Sequence, residues 1–409
     1  MDSQIKEKAL KILNITQGNI CEHCLGRKFS KEIEGPGNPL RGKKIRNIMA
    51  LEIGYMQYSG KCLVCDNLFE KLDQTSKKVE EKIKYLDLEY SSFLVGTKVN
   101  PKIMEQDKKL SSVFEVEVET IKKEINRELG KKLEEILNTE VDFDNPQLVI
   151  NADFTQDESK VHIQINPLFI EGRYRKLIRG IPQTKWPCRE CRGKGCERCN
   201  FTGKMYSETV EELISTPALK MAHANDSKFH GAGREDIDVR MLGNGRPFVL
   251  EIKEPHRRVL DLEKLTEIIN EHATNKVEVQ DLKYSIRSRK AEIKMSSPDT
   301  YKIYQAHVEL KDGIKEEDLK KLESLKIIKQ RTPTRVSHRR ADKIRIREVM
   351  DIKAEIIDSN NIILIIKGQG GLYIKELISG DEKRTQPNVS QVLKTSALCV
   401  ELDVLEVGI

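Results

Sequence analysis

The chain has 409 residues, more than one hydrophobic core usually serves, so two or three domains are expected. Lys and Arg outnumber Asp and Glu by only 71 to 65, but the excess is concentrated in two runs, Arg173–Arg192 and Arg331–Glu348, and such runs suit a polyanion. The N-terminus lacks the apolar core of a signal peptide, and no stretch approaches the roughly 18 apolar residues of a membrane span, so we expect a cytoplasmic protein.

The first feature along the chain is a pair of Cys-x-x-Cys motifs. Cys21 and Cys24 are followed by Cys62 and Cys65, a spacing that lets two turns face each other and complete a tetrahedral metal site. In a reducing compartment such pairs favour metal binding over disulfides. Four protein ligands leave no open coordination position, so we expect structural zinc in an N-terminal module over residues 1–66.

Residues 67–183 are expected to form an α/β unit. Helical spacing covers Asp66 to about Tyr90, the stretch SFLVGTKV indicates a strand, and Val113–Leu137 indicates a long amphipathic helix. The stretches PQLVINADF and KVHIQINPLFI then indicate paired strands joined by the turn TQDES. The order of these elements resembles a THUMP-type RNA-binding domain.

A second cysteine cluster falls in residues 184–206, which we expect to form a linker. Its four cysteines lie in the stretch CRECRGKGCERCNFTGK, whose glycines permit tight turns beside a metal ion: Cys188, Cys191, Cys196 and Cys199. The spacing predicts a second zinc knuckle. A site shared with other ligands stays open as the alternative, because the four thiolates are so close together.

The remaining residues, 207–409, contain mostly strand patterns, among them the charged stretch GREDIDVRM. If this stretch is extended, Asp236, Asp238 and Arg240 share one face. One interpretation is a structural array of salt bridges. A second is a carboxylate that acts on a flipped nucleotide without a metal. A third is a magnesium-dependent nuclease in which Asp238, Glu251 and Lys253 form a D…E-x-K arrangement.

Three motif blocks favour the second interpretation. The block GRED, which ends at Asp236, resembles the GR-x-D motif of pseudouridine synthases. The block KIYQA contains Tyr304 and resembles their K-x-Y-x-A motif, and GLYIK contains Tyr373 and Lys375 and resembles their G-x-Y-I-R/K motif. The blocks occur in the family's order. Nearly the whole chain resembles the archaeal synthases that act on the T-arm of tRNA and carry an N-terminal, cysteine-bearing THUMP module.

The resemblance implies conversion of uridines 54 and 55 of tRNA to pseudouridine. It also implies an α+β fold, in which a zinc-bearing THUMP-like module precedes a synthase domain with a mainly antiparallel mixed sheet. Asp236 would be the catalytic carboxylate, either attacking the ribose or removing a proton from it. The reaction is redox-neutral and needs no catalytic cofactor, and one catalytic cluster per chain is compatible with a monomer.

The same resemblance implies roles for four further residues. Tyr304 would lie against the extruded uracil, and Tyr373 would shape the other wall of the pocket. Lys375 would face the aspartate and favour its charged form, although lysine stands where the family usually has arginine and cannot form a bidentate pair. Arg234 would hold a phosphate near the flipped nucleotide.

Overall fold

The computed structural model describes residues 2–35, 37–54, 58, 60–114, 118–295 and 300–408. Within these residues, no helix is both long enough and apolar enough to cross a membrane. The chain divides into two compact units, which we call the N-terminal unit (Met1–Asn166 with His256–Arg258) and the C-terminal unit (Pro167–Pro255 with Val259–Ile409). The domain limits expected after residues 66, 183 and 206 stay predictions.

The N-terminal unit places helices around a small mixed sheet. Its helices are α1 (Ser3–Ile15), α2 (Glu22–Lys28), α3 (Asn38–Ile53), α4 (Leu72–Leu86), α5 (Pro101–Ser111) and α6 (Ile121–Leu137). Its strands are β1 (Ser92–Val99), β2 (Glu140–Val141), β3 (Leu148–Phe154) and β4 (Lys160–Ile165). In the order β2-β1-β3-β4, β1 runs parallel to β2 and β3, and β3 runs antiparallel to β4. The predicted strand SFLVGTKV is confirmed as β1.

Helix α6 begins later than the apolar spacing of Val113–Leu137 predicted. Its first residue is Ile121, because the Thr120 hydroxyl accepts a hydrogen bond from the Lys123 amide and caps the helix there. Residues 115–117 of the predicted helix lie outside the described part of the chain. The start of the prediction was wrong because apolar spacing alone does not mark a cap.

The C-terminal unit is built on a larger sheet. Its strands are β5 (Leu168–Lys176), β6 (Asp226–Gly231), β7 (Val239–Lys253), β8 (Val277–Ser285), β9 (Tyr301–Leu310), β10 (Ile327–Arg331), β11 (Ile344–Asp358), β12 (Asn361–Gln369), β13 (Thr385–Gln386) and β14 (Ala397–Val407). Its helices are α7 (Val210–Met221), α8 (Leu262–His272), α9 (Arg289–Met295), α10 (Glu316–Leu319), α11 (Ile374–Ser379) and α12 (Val389–Leu393).

The strand order of this sheet is β13-β10-β11-β12-β9-β14-β7-β5-β8, and β6 pairs with β7. The β14–β7 pairing is parallel, whereas the other pairings described for this sheet are antiparallel. The predicted α+β class with a mainly antiparallel mixed sheet is confirmed. The predicted strand KVHIQINPLFI is instead two strands in different sheets, β4 and β5, interrupted at Pro167, which has no amide hydrogen to donate.

The charged stretch GREDID forms a loop between β6 and β7. Strand β7 begins only at Val239, and Gly233 has a φ of +82°, a left-handed conformation that glycine adopts without strain. The expectation that Asp236, Asp238 and Arg240 share one face of a strand is therefore wrong. The side chains before Val239 therefore do not alternate between the two faces of the sheet.

Strand β9 contributes its buried face to the site. Lys302, Tyr304 and Ala306 lie on this face because side chains alternate along a strand. Its neighbours in the sheet are β12 and β14, which pair with it on either side. The apolar core that contains Ala306 therefore supports Tyr304 from below.

Candidate active site

An open cleft of about 410 Å³ lies where the β6–β7 loop meets β9, β14 and the segment before α11. All five residues predicted to form the catalytic and substrate-binding site line it: Arg234, Asp236, Tyr304, Tyr373 and Lys375. Its wall also carries Lys302 and a set of arginines, namely Arg246, Arg335, Arg340, Arg345 and Arg347. The cleft thus combines one half-buried carboxylate, Asp236, two tyrosines and a strong excess of positive charge.

Buried donors fix the backbone of the β6–β7 loop from below. The ammonium group of Lys176, on β5, donates to the carbonyl oxygens of Ile181, Asp236 and Ile237, each at 3.1 Å. Burial lowers the pKa of Lys176 to about 8. The side-chain amide of Gln183 donates to the Gly233 carbonyl at 3.0 Å. Because these bonds hold main-chain atoms on both sides of Asp236, they set the position of its side chain.

A buried ion pair holds the same loop. Arg246 donates through Nε to Glu235 at 2.8 Å and through Nη1 to the Ala232 carbonyl at 2.8 Å. The Tyr174 hydroxyl donates to the Glu235 carboxylate at 2.9 Å. Burial raises the pKa of Tyr174 well above its ordinary value, and the negative Glu235 adds to the shift. Glu235, directly before Asp236 in sequence, is therefore part of the support beneath the cleft.

Asp236 pairs with an arginine that lies 99 residues later in the chain. Arg335 donates from Nη1 to Asp236 Oδ2 at 2.7 Å and from Nε to Glu376 Oε1 at 2.6 Å. Burial opposes the charge on Arg335, but the two carboxylates outweigh it and raise the pKa of the guanidinium. Glu376 is buried, so it anchors the arginine whose other end holds Asp236.

Lys375, expected to face Asp236, pairs instead with Asp238. Its ammonium group lies 2.5 Å from Asp238 Oδ2. Partial burial works against ionisation of Asp238, but the hydrogen bond and charge of Lys375 lower its pKa. The cation that contacts Asp236 is thus Arg335, and the expected partner of Lys375 was wrong. The Arg335 guanidinium contacts Asp236 through Nη1 alone, and Lys375 places its compact ammonium group beside Asp238.

Tyr304 and Lys302 form the floor of the cleft. Burial raises the pKa of Tyr304 to about 12, so its hydroxyl keeps its proton at neutral pH. Burial lowers the pKa of Lys302 to about 7, and the neighbouring positive Arg246 adds to the shift. A methyl group built on Gly233 would lie 3.4 Å from Lys302 Nζ, which places this ammonium group directly beneath the loop.

Tyr373 and Arg234 occupy the rim. The Tyr373 amide donates to Gln330 Oε1 at 2.9 Å, and its hydroxyl accepts a hydrogen bond from Arg340 at 3.2 Å. The Arg234 guanidinium lies over the ring of Trp186, 5.0 Å from its centroid. Both residues are therefore oriented by side-chain contacts.

The residues of the nuclease interpretation each have other partners. Asp238 pairs with Lys375, and Lys253 pairs with Asp226 at 2.6 Å. Glu251 is buried and contacts His230 at 2.8 Å. Among the residues described, the groups of metal-binding side chains are two sets of cysteines, and the D…E-x-K residues do not form a third.

Each set of four cysteines could hold a metal ion. The four sulfur atoms lie within 4.8 Å of one another in both sets, which are Cys21, Cys24, Cys62 and Cys65, and Cys188, Cys191, Cys196 and Cys199. The Cys21–Cys65 sulfur distance is 3.7 Å, and the Cys191–Cys199 distance is 3.8 Å. Bonds of about 2.3 Å in a tetrahedral site separate sulfur atoms by about 3.8 Å. All four thiolates of the second set can therefore reach one ion.

Sequence reasoning missed two cations of the cleft, Lys302 and Arg335. Lys302 belongs to the KIYQA block, and its even spacing from Tyr304 would have placed both on one strand face. Arg335 lies in a basic run that was assigned to polyanion binding as a whole, and no sequence spacing links it to Asp236. Its role depends on the tertiary fold.

Comparisons with known proteins agree with the motif blocks. The family described as Pus10, C-terminal, matches residues 169–408, and the family described as Pus10 THUMP domain, archaeal, matches residues 76–153. A protein named tRNA pseudouridine synthase Pus10 from Methanothermobacter marburgensis is 55% identical over 404 residues, covering 99% of either chain. Its namesake from Methanosphaera stadtmanae is 48% identical, covering 95% of this chain and 96% of that one.

Likeness to solved structures is weaker. A chain of a Cbf5-Nop10-Gar1 complex matches with 15% identity and a TM-score of 0.32, over 57% of this chain and 48% of that chain. A score this low does not establish a shared fold.

The family matches and the two similar sequences define the class of the protein: it is an isomerase, a pseudouridine synthase. The nuclease interpretation is therefore wrong. The chain belongs to the Pus10 family, and the expected THUMP domain is confirmed in its archaeal form.

Proposed function

We propose that this synthase converts uridines 54 and 55 in the T-arm of tRNA to pseudouridine, with Asp236 as the catalytic carboxylate. The observation that carries the proposal is the position of Asp236, on a loop fixed from below and at the centre of a cationic cleft. The names of the relatives supply tRNA as the substrate. The T-arm follows from the resemblance of the motif blocks and their surroundings.

The chemistry needs a carboxylate, a base pocket and no external redox partner. The N1–C1′ bond of uridine breaks, the uracil rotates, and a C5–C1′ bond forms. C5 loses its proton and N1 gains one, so atoms and electrons balance without a cofactor. Asp236 acts on the ribose, either at C1′ as a nucleophile or by removing the C2′ proton. Deuterium at C2′ separates these routes, because proton removal predicts a slower reaction.

The neighbouring residues have separate tasks in this proposal. Arg335 holds the Asp236 carboxylate in one orientation through the 2.7 Å contact. Tyr304 presents its ring to the extruded uracil, while Tyr373 and Arg340 close the opposite rim. Lys375 and Arg234 face the backbone of the RNA. The positive charge around the cleft suits the phosphates on either side of the target.

We also propose that both cysteine sets hold zinc with a structural role. Four thiolates complete a tetrahedral shell and leave no position for a reacting water. Metal analysis of the purified chain is expected to give two zinc ions per chain. We further propose a monomer in the cytoplasm, which light scattering and cell fractionation test directly.

Release of tritium from uracil C5 tests the central proposal. A tRNA transcript labelled at C5 is incubated with the protein in EDTA, and the label in water is counted while strand length is checked. Asp236→Asn is expected to slow release by about a thousandfold or more, with RNA binding nearly intact.

The matched control is Asp238→Asn, which changes the neighbouring exposed carboxylate of the same loop. Its rate of release is expected to stay within about tenfold of that of the natural chain, because Asp238 does not act on the ribose in this proposal. Equal losses in the two variants would disprove the assignment of Asp236. Mapping pseudouridine along the transcript tests the T-arm, and modification elsewhere would refute that part.

A further inference from the structure

A second, smaller cleft of about 290 Å³ opens beside the first. Trp186, Ile237 and Asp238 line this cleft but not the first. The two clefts share five residues, Arg234, Glu235, Asp236, Arg335 and Lys375. A ligand that reaches Asp236 from the first cleft therefore lies next to the second.

Trp186 lies at the start of a short segment, residues 186–206, that contains the second cysteine set. We call this segment the ribbon. The Met205 amide donates to the Trp186 carbonyl at 2.9 Å, and the Cys188 amide donates to the Gly203 carbonyl at 2.7 Å. The ring of Tyr206 packs edge-on against the indole, with centroids 5.6 Å apart and an interplanar angle of 84°. These contacts fix the ring from two sides, so its position depends on the ribbon and not on the core of the sheet.

The contacts of Trp186 indicate what the second cleft recognises. The Arg234 guanidinium lies over one face of the indole, 5.0 Å from its centroid, and places a positive charge beside the ring. Aromatic rings and guanidinium planes are the surfaces on which proteins stack unpaired nucleobases. Arg335 and Lys375, at the border between the clefts, suit a phosphate between two nucleotides.

We propose that the second cleft binds the base of the nucleotide next to the target uridine, stacked on Trp186, while Arg234 faces the adjoining phosphate. This inference rests on the proposed function, since it needs a single-stranded RNA segment at Asp236. Two consecutive nucleotides then occupy the two clefts. For neighbouring targets such as uridines 54 and 55, one uridine fills the second cleft while the other reacts.

Fluorescence tests the contact, because Trp186 is the sole tryptophan in the chain. The full-length Asp236→Asn protein is titrated with a T-arm stem–loop RNA, and binding is followed in parallel by anisotropy of a label on the RNA. Stacking predicts quenching that saturates with binding. Two further RNAs lack the base on the 5′ or the 3′ side of the target, and one of them is expected to bind without quenching. Binding of the intact RNA with no quenching would overturn the proposal.

Kinetics with intact tRNA give an independent test. Trp186→Ala is expected to lower kcat/KM by about 5- to 150-fold, the range that corresponds to about 1–3 kcal/mol of base stacking. Trp186→Phe keeps a ring and is expected to recover most of the loss. The control is Phe201→Ala, which removes an aromatic side chain 74% exposed on the same ribbon.

The outcomes separate this proposal from the proposed function. If the natural chain forms no pseudouridine in any tRNA, the proposed function fails. If it does, and Trp186→Ala matches its kcat/KM, only the second cleft is refuted. An equal loss in Phe201→Ala would assign the effect to the ribbon and also refute the stacking contact. Should Trp186→Ala fold poorly, the fluorescence titration decides, since it uses the native tryptophan.

Discussion

In the N-terminal unit two buried cations, Arg27 and Lys28 of α2, face two buried carboxylates, Asp107 and Glu124. Arg27 contacts both carboxylates, and its Nη2 lies 2.8 Å from Asp107. Lys28 contacts Asp107 and donates to Ser111 at 2.8 Å. The charges balance in number, and the cluster joins the helix of the first cysteine pair to α5 and α6.

The buried cluster beneath the cleft of the C-terminal unit is not balanced. Its buried cations are Lys176, Arg246 and Lys302, while Glu235 is its buried carboxylate. Lys302 lines the cleft, and the ion pairs found in the described part of the chain do not include it. An unpaired buried charge destabilises a folded protein unless an opposite charge enters. The balanced cluster therefore serves the fold, whereas the unbalanced one lies under an open cleft, where the RNA of the proposed function would offset its charge.

Breaking the balanced cluster gives the largest expected change in stability. Asp107→Asn removes the carboxylate shared by Arg27 and Lys28, so the free energy of unfolding of the N-terminal unit should fall by about 3–5 kcal/mol. Urea denaturation measures it. The control is Glu158→Gln, from an ion pair with Lys78 in which Glu158 is exposed, and a much smaller change is expected because water screens the pair. Similar values for both variants would show that the buried cluster contributes no more than a surface pair.

Removing the charge of Lys302 should raise the free energy of unfolding. Lys302→Met is expected to stabilise the RNA-free protein by a few kcal/mol near pH 6, at roughly 1.4 kcal/mol per unit of pKa shift, and to weaken binding of RNA. The pKa of Lys302 is about 7 in the folded chain, against an ordinary value of 10.5. Between these values the unfolded chain binds the extra proton, so the natural protein gains stability as pH rises from about 7 to about 10.5.

The gain from Lys302→Met should therefore be larger at pH 6 than at pH 9. Urea denaturation at both values measures it, and Lys228→Met, at an exposed position on β6, is expected to show no such pH dependence. A gain independent of pH would mean that Lys302 stays protonated in the folded protein at both pH values, so that its pKa is not lowered into this range.

The smallest change in the free energy of unfolding is expected for the Asp238–Lys375 pair, which lies outside both buried clusters. Asp238 is 65% exposed, so its pair with Lys375 is screened by water. Asp238→Asn should change the free energy of unfolding by about 1 kcal/mol or less, and high salt should remove the difference. A larger, salt-independent loss would place this pair with the buried clusters.

Much of the fold was predictable because strands with one buried face alternate in sequence. The stretch SFLVGTKV became β1, and the two strands flanking TQDES pair as expected. The starts of α6 and β7 were harder to predict. Thr120 sets the start of α6 through a capping hydrogen bond, and the left-handed Gly233 keeps the residues before β7 in a loop. The charged residues of GREDID looked like strand residues only because the pattern carries no information on φ.

The site was predictable where motifs carried it. Asp236 and Tyr304 line one cleft as the blocks implied. The roles of residues in the two basic runs were harder to predict, because the sequence of a run does not show which of its side chains are exposed to water. In the first run, Arg173 donates to the Asn244 carbonyl at 2.6 Å, and Lys176 is fully buried beneath the loop. Arg335 of the second run contacts Asp236 through pairing across 99 residues, which only the tertiary fold sets.

The parallel pairing of β14 with β7 bears on how the protein folds during translation. Strand β14 lies between β9 and β7, and the Arg240–Asp403 ion pair at this junction joins residues 163 positions apart. Until residues 397–407 have left the ribosome, β7 and β9 lack this partner. Unpaired strand edges invite association with other chains. A nascent chain stalled before β14 would therefore lack Leu402 and Val404 of the cleft wall and expose two unpaired strand edges.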